Sequence, residues 1–372
     1  PTVGPTISIG DTGDQFVTAV AMDESNVYLG GNYGAEFSMS GAKPPPPSGP
    51  RPKGFVVRTT ITDGPKVPLY FRAVPIDGAG GAGGGGGSSA GTPLAAVTAV
   101  AVASDDATVW VGGNFAGTLE FSYDGGDWSG FSDSVETENA AAFVLRLDDF
   151  NDTPPQPIVF ASEPGGESTV IDIAVFPDSG GAAVGGDFSG TLWVPGVLQP
   201  LASTLDTDKD GWIARLPADG EVGSWATSVG CAEVATVSAL AVGEDEAIIA
   251  AGSFTGSELM PPVGEPEPGH AAVSSFLLSL GDGGAGGGAG GGAAAFHQDW
   301  VRVPGSTIDS ASAEVKIRDV AVTPQGEVVF AGSFRSAGWE FGAMDLESTG
   351  EHGAFVVKQH SPDDYYAAWQ VS

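Results

Sequence analysis

VTAVAVASDDATVWVGGNF, Val97 to Phe115, returns as VIDIAVFPDSGGAAVGGDF, Val170 to Phe188. Followed along the chain, the first element of this phrase occurs five times: VTAVAM from Val17, VTAVAV from Val97, VIDIAV from Val170, VSALAV from Val237 and IRDVAV from Ile317. A second element follows each: GGNY from Gly30, GGNF from Gly112, GGDF from Gly185, then AGSF from Ala251 and from Ala331. A chain that repeats itself at a spacing of one small sheet must bury the faces of each copy against the next. That restricts the fold more than any other feature of the sequence.

Two further elements complete the unit. The third reads GFVVRT from Gly54, AFVLRL from Ala142, GWIARL from Gly211, SFLLSL from Ser275 and AFVVKQ from Ala354. The fourth is looser: PLYFRAV around Tyr70, PIVFAS around Val159, WATSV at Trp225, WVRV at Trp300 and WQV at Trp369. Each element is short, rich in β-branched and aromatic residues, and bounded by Gly, Pro, Asp or Ser, which is the signature of a strand. The link between the first two carries DES, SDD, PDSGG, GEDE or PQGE, the chemistry of tight hairpins. Four strands in each of five repeats predict an all-β fold: a single five-bladed β-propeller of four-stranded antiparallel blades with long loops, over residues 1–372. The repeats span roughly 11–77, 94–163, 168–230, 235–304 and 314–372, and residues 1–10 supply an extra N-terminal strand.

Side chains recur at fixed places in this frame. The aromatics Tyr33, Phe115, Phe188, Phe254 and Phe334 close the second strand and are expected to wedge between blades, while the Gly or Ala residues before them permit close backbone approach. Phe55, Phe143, Trp212, Phe276 and Phe355 open the third strand, and Arg58, Arg146, Arg215, Ser279 and Lys358 follow three positions later. The basic residues of this set read as ion-paired strand residues. The pattern AVxxxGxxxxxG(N/S)F, then (D/G)AFVxRL, then Trp, resembles the SBBP-type bacterial β-propeller repeats, and the glycine-alanine tracts are similar to those of myxobacterial secreted proteins. The resemblance covers nearly the whole chain. It implies a propeller fold and an extracellular or cell-surface location, and it brings no catalytic residues with it.

Composition narrows the function. The net charge of −33 comes from 14 Lys and Arg against 47 Asp and Glu, so bases are scarce more than acids are abundant. Such a field repels nucleic acid and anionic membranes and suits a secreted protein. No apolar run is long enough to span a bilayer as a helix. The single cysteine, Cys231, excludes an intrachain disulfide and is read as a small buried thiol. The chain begins PTVGPTISIG, with no initiating Met and no basic-plus-apolar signal region, so if the protein is exported a processed chain or a fragment is expected.

Candidate sites are few. DTDKDG places Asp206, Asp208 and Asp210 at alternate positions before Gly211, the front half of a calcium loop. The closing Glu of such a loop falls on Pro217, so a solvated acidic turn is the competing reading. Asp172 and Asp319 share one position in the first strands of repeats three and five, where the others carry Ala19, Ala99 and Ala239. They are the best-placed carboxylates for a glycoside hydrolase, which needs a pair. His270, His297, His352 and His360 have no metal-site spacing. Glycine-rich tracts at Gly78–Gly91 and Gly281–Gly292 read as linkers. KPPPPSGPRPK (Lys43–Lys53) and PPVGEPEPGH (Pro261–His270) mark a loop-rich face. The segment Pro5, Thr6, Ile7, Ser8, Ile9 is one strand too many, available for addition to a neighbouring sheet. The sequence thus predicts a non-enzymatic structural or protein-interaction module, with protein partners or self-assembly and either no cofactor or calcium. A carbohydrate-binding or glycoside-hydrolase-like propeller is the alternative.

Overall fold

In the computed structural model the chain is all-β. The structure describes residues 15–33, 53–60, 64–74, 94–103, 108–123, 136–147, 157–204, 209–218, 225–262, 267–268, 271–282, 296–302, 310–335, 339–341, 344–346, 352–361 and 364–371. The Pro5–Ile9 segment, the polyproline loop apart from Lys53, Asp206, Asp208, and the glycine tracts apart from Gly281 and Asp282 lie outside these residues. Among the described residues no helix is long and apolar enough to cross a membrane. The chain divides into two compact units, Pro1–Val170 and Ile171–Ser372.

The first unit holds repeat one, β1 (Gln15–Met22), β2 (Asn26–Tyr33), β3 (Lys53–Thr60) and β4 (Gly64–Val74), and repeat two, β5 (Leu94–Val102), β6 (Val109–Tyr123), β7 (Glu136–Leu147) and β8 (Ile158–Ser162). Repeat three begins with β9 (Ser168–Val175), which straddles the division. Each of the two complete repeats is an antiparallel meander in which successive strands pair.

The second unit continues with β10 (Ala182–Phe188), β11 (Thr191–Trp193), β12 (Leu201–Ala202), β13 (Asp210–Leu216) and β14 (Trp225–Cys231). Repeat four comprises β15 (Ala235–Val242), β16 (Ile248–Thr255), β17 (Glu258–Met260), β18 (Glu267–Pro268), β19 (Ala271–Asp282) and β20 (Phe296–Arg302). Repeat five comprises β21 (Ser310–Val322), β22 (Val328–Arg335), β23 (Trp339–Phe341), β24 (Met344–Leu346), β25 (Gly353–Ser361) and β26 (Asp364–Val371). The main meanders here are β9–β10–β13–β14, β15–β16–β19–β20 and β21–β22–β25–β26. The four expected strands of every repeat are therefore present and antiparallel.

The loop between the second and third strands is a structured excursion in repeats three to five. It folds as a small hairpin: β11 with β12, β17 with β18, and β23 with β24. In repeat two the same excursion is a continuation of β6 and β7, which still pair at Thr118 and Glu136. These excursions tie neighbours together. The far half of β6 pairs with β4, the last strand of the preceding repeat, and β17 pairs with β14 in the same way.

Candidate functional site

The first strands carry the residues that the sequence marked for chemistry, and their local geometry begins with a bulge. The register of the first strand on the second slips between Val17 and Ala19, Val97 and Ala99, Val237 and Ala239, and Ile317 and Asp319. A bulge re-aims the extra residue out of the ladder. In three repeats that residue bears a hydroxyl, and it donates to the first strand of the next repeat. Thr18 Oγ1 reaches the carbonyl of Val97 at 2.7 Å, Thr98 Oγ1 that of Val170 at 2.5 Å, and Ser238 Oγ that of Ile317 at 3.0 Å.

Repeat three does the same task with different atoms. Its residue in the hydroxyl position is Ile171, which has nothing to donate, and the next residue is Asp172 where those repeats have alanine. The Asp172 carboxylate accepts the N–H of Leu240, in the first strand of repeat four, at 2.7 Å on Oδ2. Its Oδ1 accepts the N–H of Ile173 at 2.9 Å. Burial pushes this carboxyl up to about 6; the two backbone hydrogen bonds oppose the rise, and the charge of Asp319 adds to it. Asp319 accepts the N–H of Val320 at 2.9 Å, as Asp172 does that of Ile173. The two carboxylates named by sequence thus feel one another, but Asp172 is committed through both oxygens to backbone.

The glycine motif has two distinct causes. A Cβ on Gly30 would lie 2.6 Å from Val100 and 2.9 Å from Val97, side chains of the next repeat's first strand. Gly185 stands likewise against Val237 and Leu240. The second glycine is crowded from within its own repeat. A Cβ on Gly113 would sit 1.9 Å from the Ala96 carbonyl and 2.8 Å from the Phe143 ring. Gly31, Gly252 and Gly332 meet the same two obstacles. The expected wedge between blades is thereby refined: the aromatics that close the second strand pack on their own repeat's third-strand aromatics. Tyr33 on Phe55, Phe115 on Phe143 and Phe334 on Phe355 have ring centroids 6.0 to 6.3 Å apart.

Arg58, Arg215 and Lys358, three of the recurring basic residues of the third strand, each have a partner on another strand or turn. Arg215 pairs with Glu246 and lies over the Phe176 ring at 4.1 Å, a cation–π contact. Lys358 pairs with Glu327. Arg58 lies near Tyr28, whose hydroxyl donates to Asp23 at 2.9 Å. Burial, then Asp23, pushes the Tyr28 hydroxyl up to about 12. Glu246 adopts φ 60°, a conformation that repeat five gives to Gly326 at φ 77°.

Of the three carboxylates of the acidic turn, only Asp210 is among the described residues. It is buried, and its Oδ2 accepts from both the N–H and the hydroxyl of Thr204, at 2.5 and 2.8 Å. Among the described residues no three His, Cys, Asp or Glu side chains are grouped to hold a metal ion. Cys231 is buried, and that burial pushes its thiol up. Sequence reasoning missed the bulge hydroxyls, although the alternation Thr-Ala, Thr-Ala, Ile-Asp, Ser-Ala, Arg-Asp at the shared position was there to be read. No family model matches the chain, and no curated protein matches it.

Proposed function

We propose that the chain closes into a five-bladed β-propeller and serves, outside the cell or on its surface, as a non-enzymatic structural or protein-interaction module. The observation that carries this reading is the use made of Asp172, the carboxylate best placed for chemistry. Each of its oxygens takes a backbone N–H, so it joins first strands and has no lone role in a pocket. The bulge hydroxyls do equivalent work elsewhere. The scarcity of bases and the resemblance to SBBP-type repeats support the extracellular setting. Partners are protein, engaged through the excursions between second and third strands or by addition of the Pro5–Ile9 strand.

The alternative, a carbohydrate-active propeller, draws on one observation: a buried carboxyl raised to about 6, with the charge of a second carboxylate adding to the rise, is what the acid of an acid–base pair needs. Two measurements separate the readings. Light scattering after size exclusion, with residues 1–10 present and deleted, is expected to give an assembly that depends on that strand. A glycan array and a panel of aryl glycosides are expected to give neither binding nor turnover. Turnover abolished by Asp172→Asn would establish the hydrolase instead.

A further inference from the structure

The excursions of repeats three and four carry apolar side chains where a half-solvated hairpin normally sets polar ones. In β11 burial alternates: Leu192 is buried, and its neighbour Trp193 is 48% exposed. In β17 Leu259 is buried, with Glu258 and Met260 on the outward side and Met260 40% exposed. The fold itself does not demand this. Repeat two writes the same element as Thr118, Leu119 and Glu120, with Leu119 buried and a glutamate in the place of Trp193.

The two excursions meet on β14. Met260 pairs with Gly230. Thr204, two residues past β12, sets its hydroxyl against the same glycine, where a Cβ would lie 2.3 Å from Oγ1. Leu198, 83% exposed, follows a turn in which the Val197 N–H donates to the Val194 carbonyl at 3.1 Å. Pro195 and Gly196 (φ 82°) occupy the centre of that turn, the pairing a type II turn favours. Val234, 42% exposed, is held to the base of the second excursion. The Thr255 N–H donates to its carbonyl at 2.9 Å, and its own N–H donates to the Thr255 hydroxyl at 3.1 Å. These bonds fix the backbone beneath the apolar strip, which lowers the cost of ordering it around a partner.

The rim of this strip is acidic. Glu233 and Glu258 are exposed in the same two segments as Val234 and Met260. From Asp187 to Met260 the chain has two bases, Lys209 and Arg215, and these pair with Asp187 and Glu246. Resting on the protein-interaction reading above, we infer that Trp193, Leu198, Val234 and Met260, within their acidic rim, dock a protein segment that combines apolar side chains with Lys or Arg. An apolar centre rich in Trp and Met inside a charged rim is the common anatomy of a protein interface. The charge selects the partner. A second copy of this chain brings a net charge of −33 to the same face, and like charges across an interface oppose association.

Fluorescence anisotropy with three labelled peptides tests the proposal: six Leu-Lys repeats, six Ser-Lys repeats of the same charge, and six Leu-Glu repeats of the same apolar content. The full chain at physiological ionic strength is expected to bind the Leu-Lys peptide best. Trp193→Ser and Met260→Ser, each matched to the wild type in thermal unfolding, are expected to weaken that binding about tenfold. Val356→Ser, at an exposed position of β25 outside the excursions, is expected to leave it unchanged. Glu233→Gln combined with Glu258→Gln is expected to slow association and flatten its dependence on salt. Failure to bind the Leu-Lys peptide, equal binding of either control peptide, or binding that Trp193→Ser leaves intact would overturn the docking strip and leave the interaction-module reading in place. Binding to a glycan array that Trp193→Ser abolishes, with no peptide bound, would overturn both.

Discussion

Asp172 shows how one side chain can be both a fastener and a pH-dependent load. Its carboxyl titrates at about 6 in the folded chain, against about 3.9 in an unfolded one. The folded state therefore holds the proton more tightly. The stability this group contributes is full below about pH 3.9 and is lost as pH rises through about 6. At about 1.4 kcal/mol per pKa unit the loss approaches about 3 kcal/mol. In Asp172→Asn that step is absent, so the stability difference between variant and wild type, measured by urea unfolding at pH 4 and pH 7, is expected to shift by up to this amount in the variant's favour at pH 7. A difference that stays constant with pH would contradict the account. Glycine offers a second residue-scale test. Gly113→Ala forces a Cβ into the Ala96 carbonyl and the Phe143 ring, and is expected to cost on the order of 3 kcal/mol. Gly165→Ala, with φ +94° and open space around it, is expected to cost only about 1 kcal/mol, through backbone strain alone. Thermal unfolding of the two variants checks the ranking.

At the scale of elements, the first strand is the part that binds repeats together, and its fastening comes in two interchangeable forms. Thr98→Val removes the hydroxyl donor to the Val170 carbonyl while keeping the shape, and is expected to cost about 1–2 kcal/mol, whereas Thr98→Ser keeps most of the bond. Interchangeability makes a sharper prediction. Asp172→Ala alone destabilises, and Ile171→Thr added to it rebuilds the Thr-Ala fastening of the first two repeats. The double variant is expected to recover at least half of the lost melting temperature and to have no stability step near pH 6. No recovery would mean that the two fastenings are not equivalent. Much of this level was legible in the sequence. Strands, hairpins and repeat order follow from alternation and turn chemistry, because those depend on neighbours in the chain. The excursions β11–β12, β17–β18 and β23–β24 were not, since strands of two or three residues such as Thr191–Trp193 carry too little pattern to stand out. The bulge was hidden for a different reason. A slip in register between Val97 and Ala99 leaves the apolar alternation of VTAVAV intact and becomes visible only when the hydroxyl is seen reaching a strand some seventy residues away.

For the whole molecule, the proposed ring rests on features that recur from repeat to repeat: a small residue on the second strand and one of two polar fastenings on the first. The strongly negative surface adds long-range repulsion that salt screens, so stability is expected to rise between low and physiological ionic strength. Closure itself is measured most directly as a distance. Spin labels at Asp245 and Gln325 mark the exposed first turns of repeats four and five, which are neighbours in the chain. Labels at Ser25 and Gln325 mark the corresponding turns of repeats one and five, which are neighbours only in a ring. Double electron–electron resonance, with labelled protein diluted into unlabelled protein, is predicted to give nearly equal distances for the two pairs. A distance for Ser25 and Gln325 much longer than that for Asp245 and Gln325 would mean an open arc and would contradict the account.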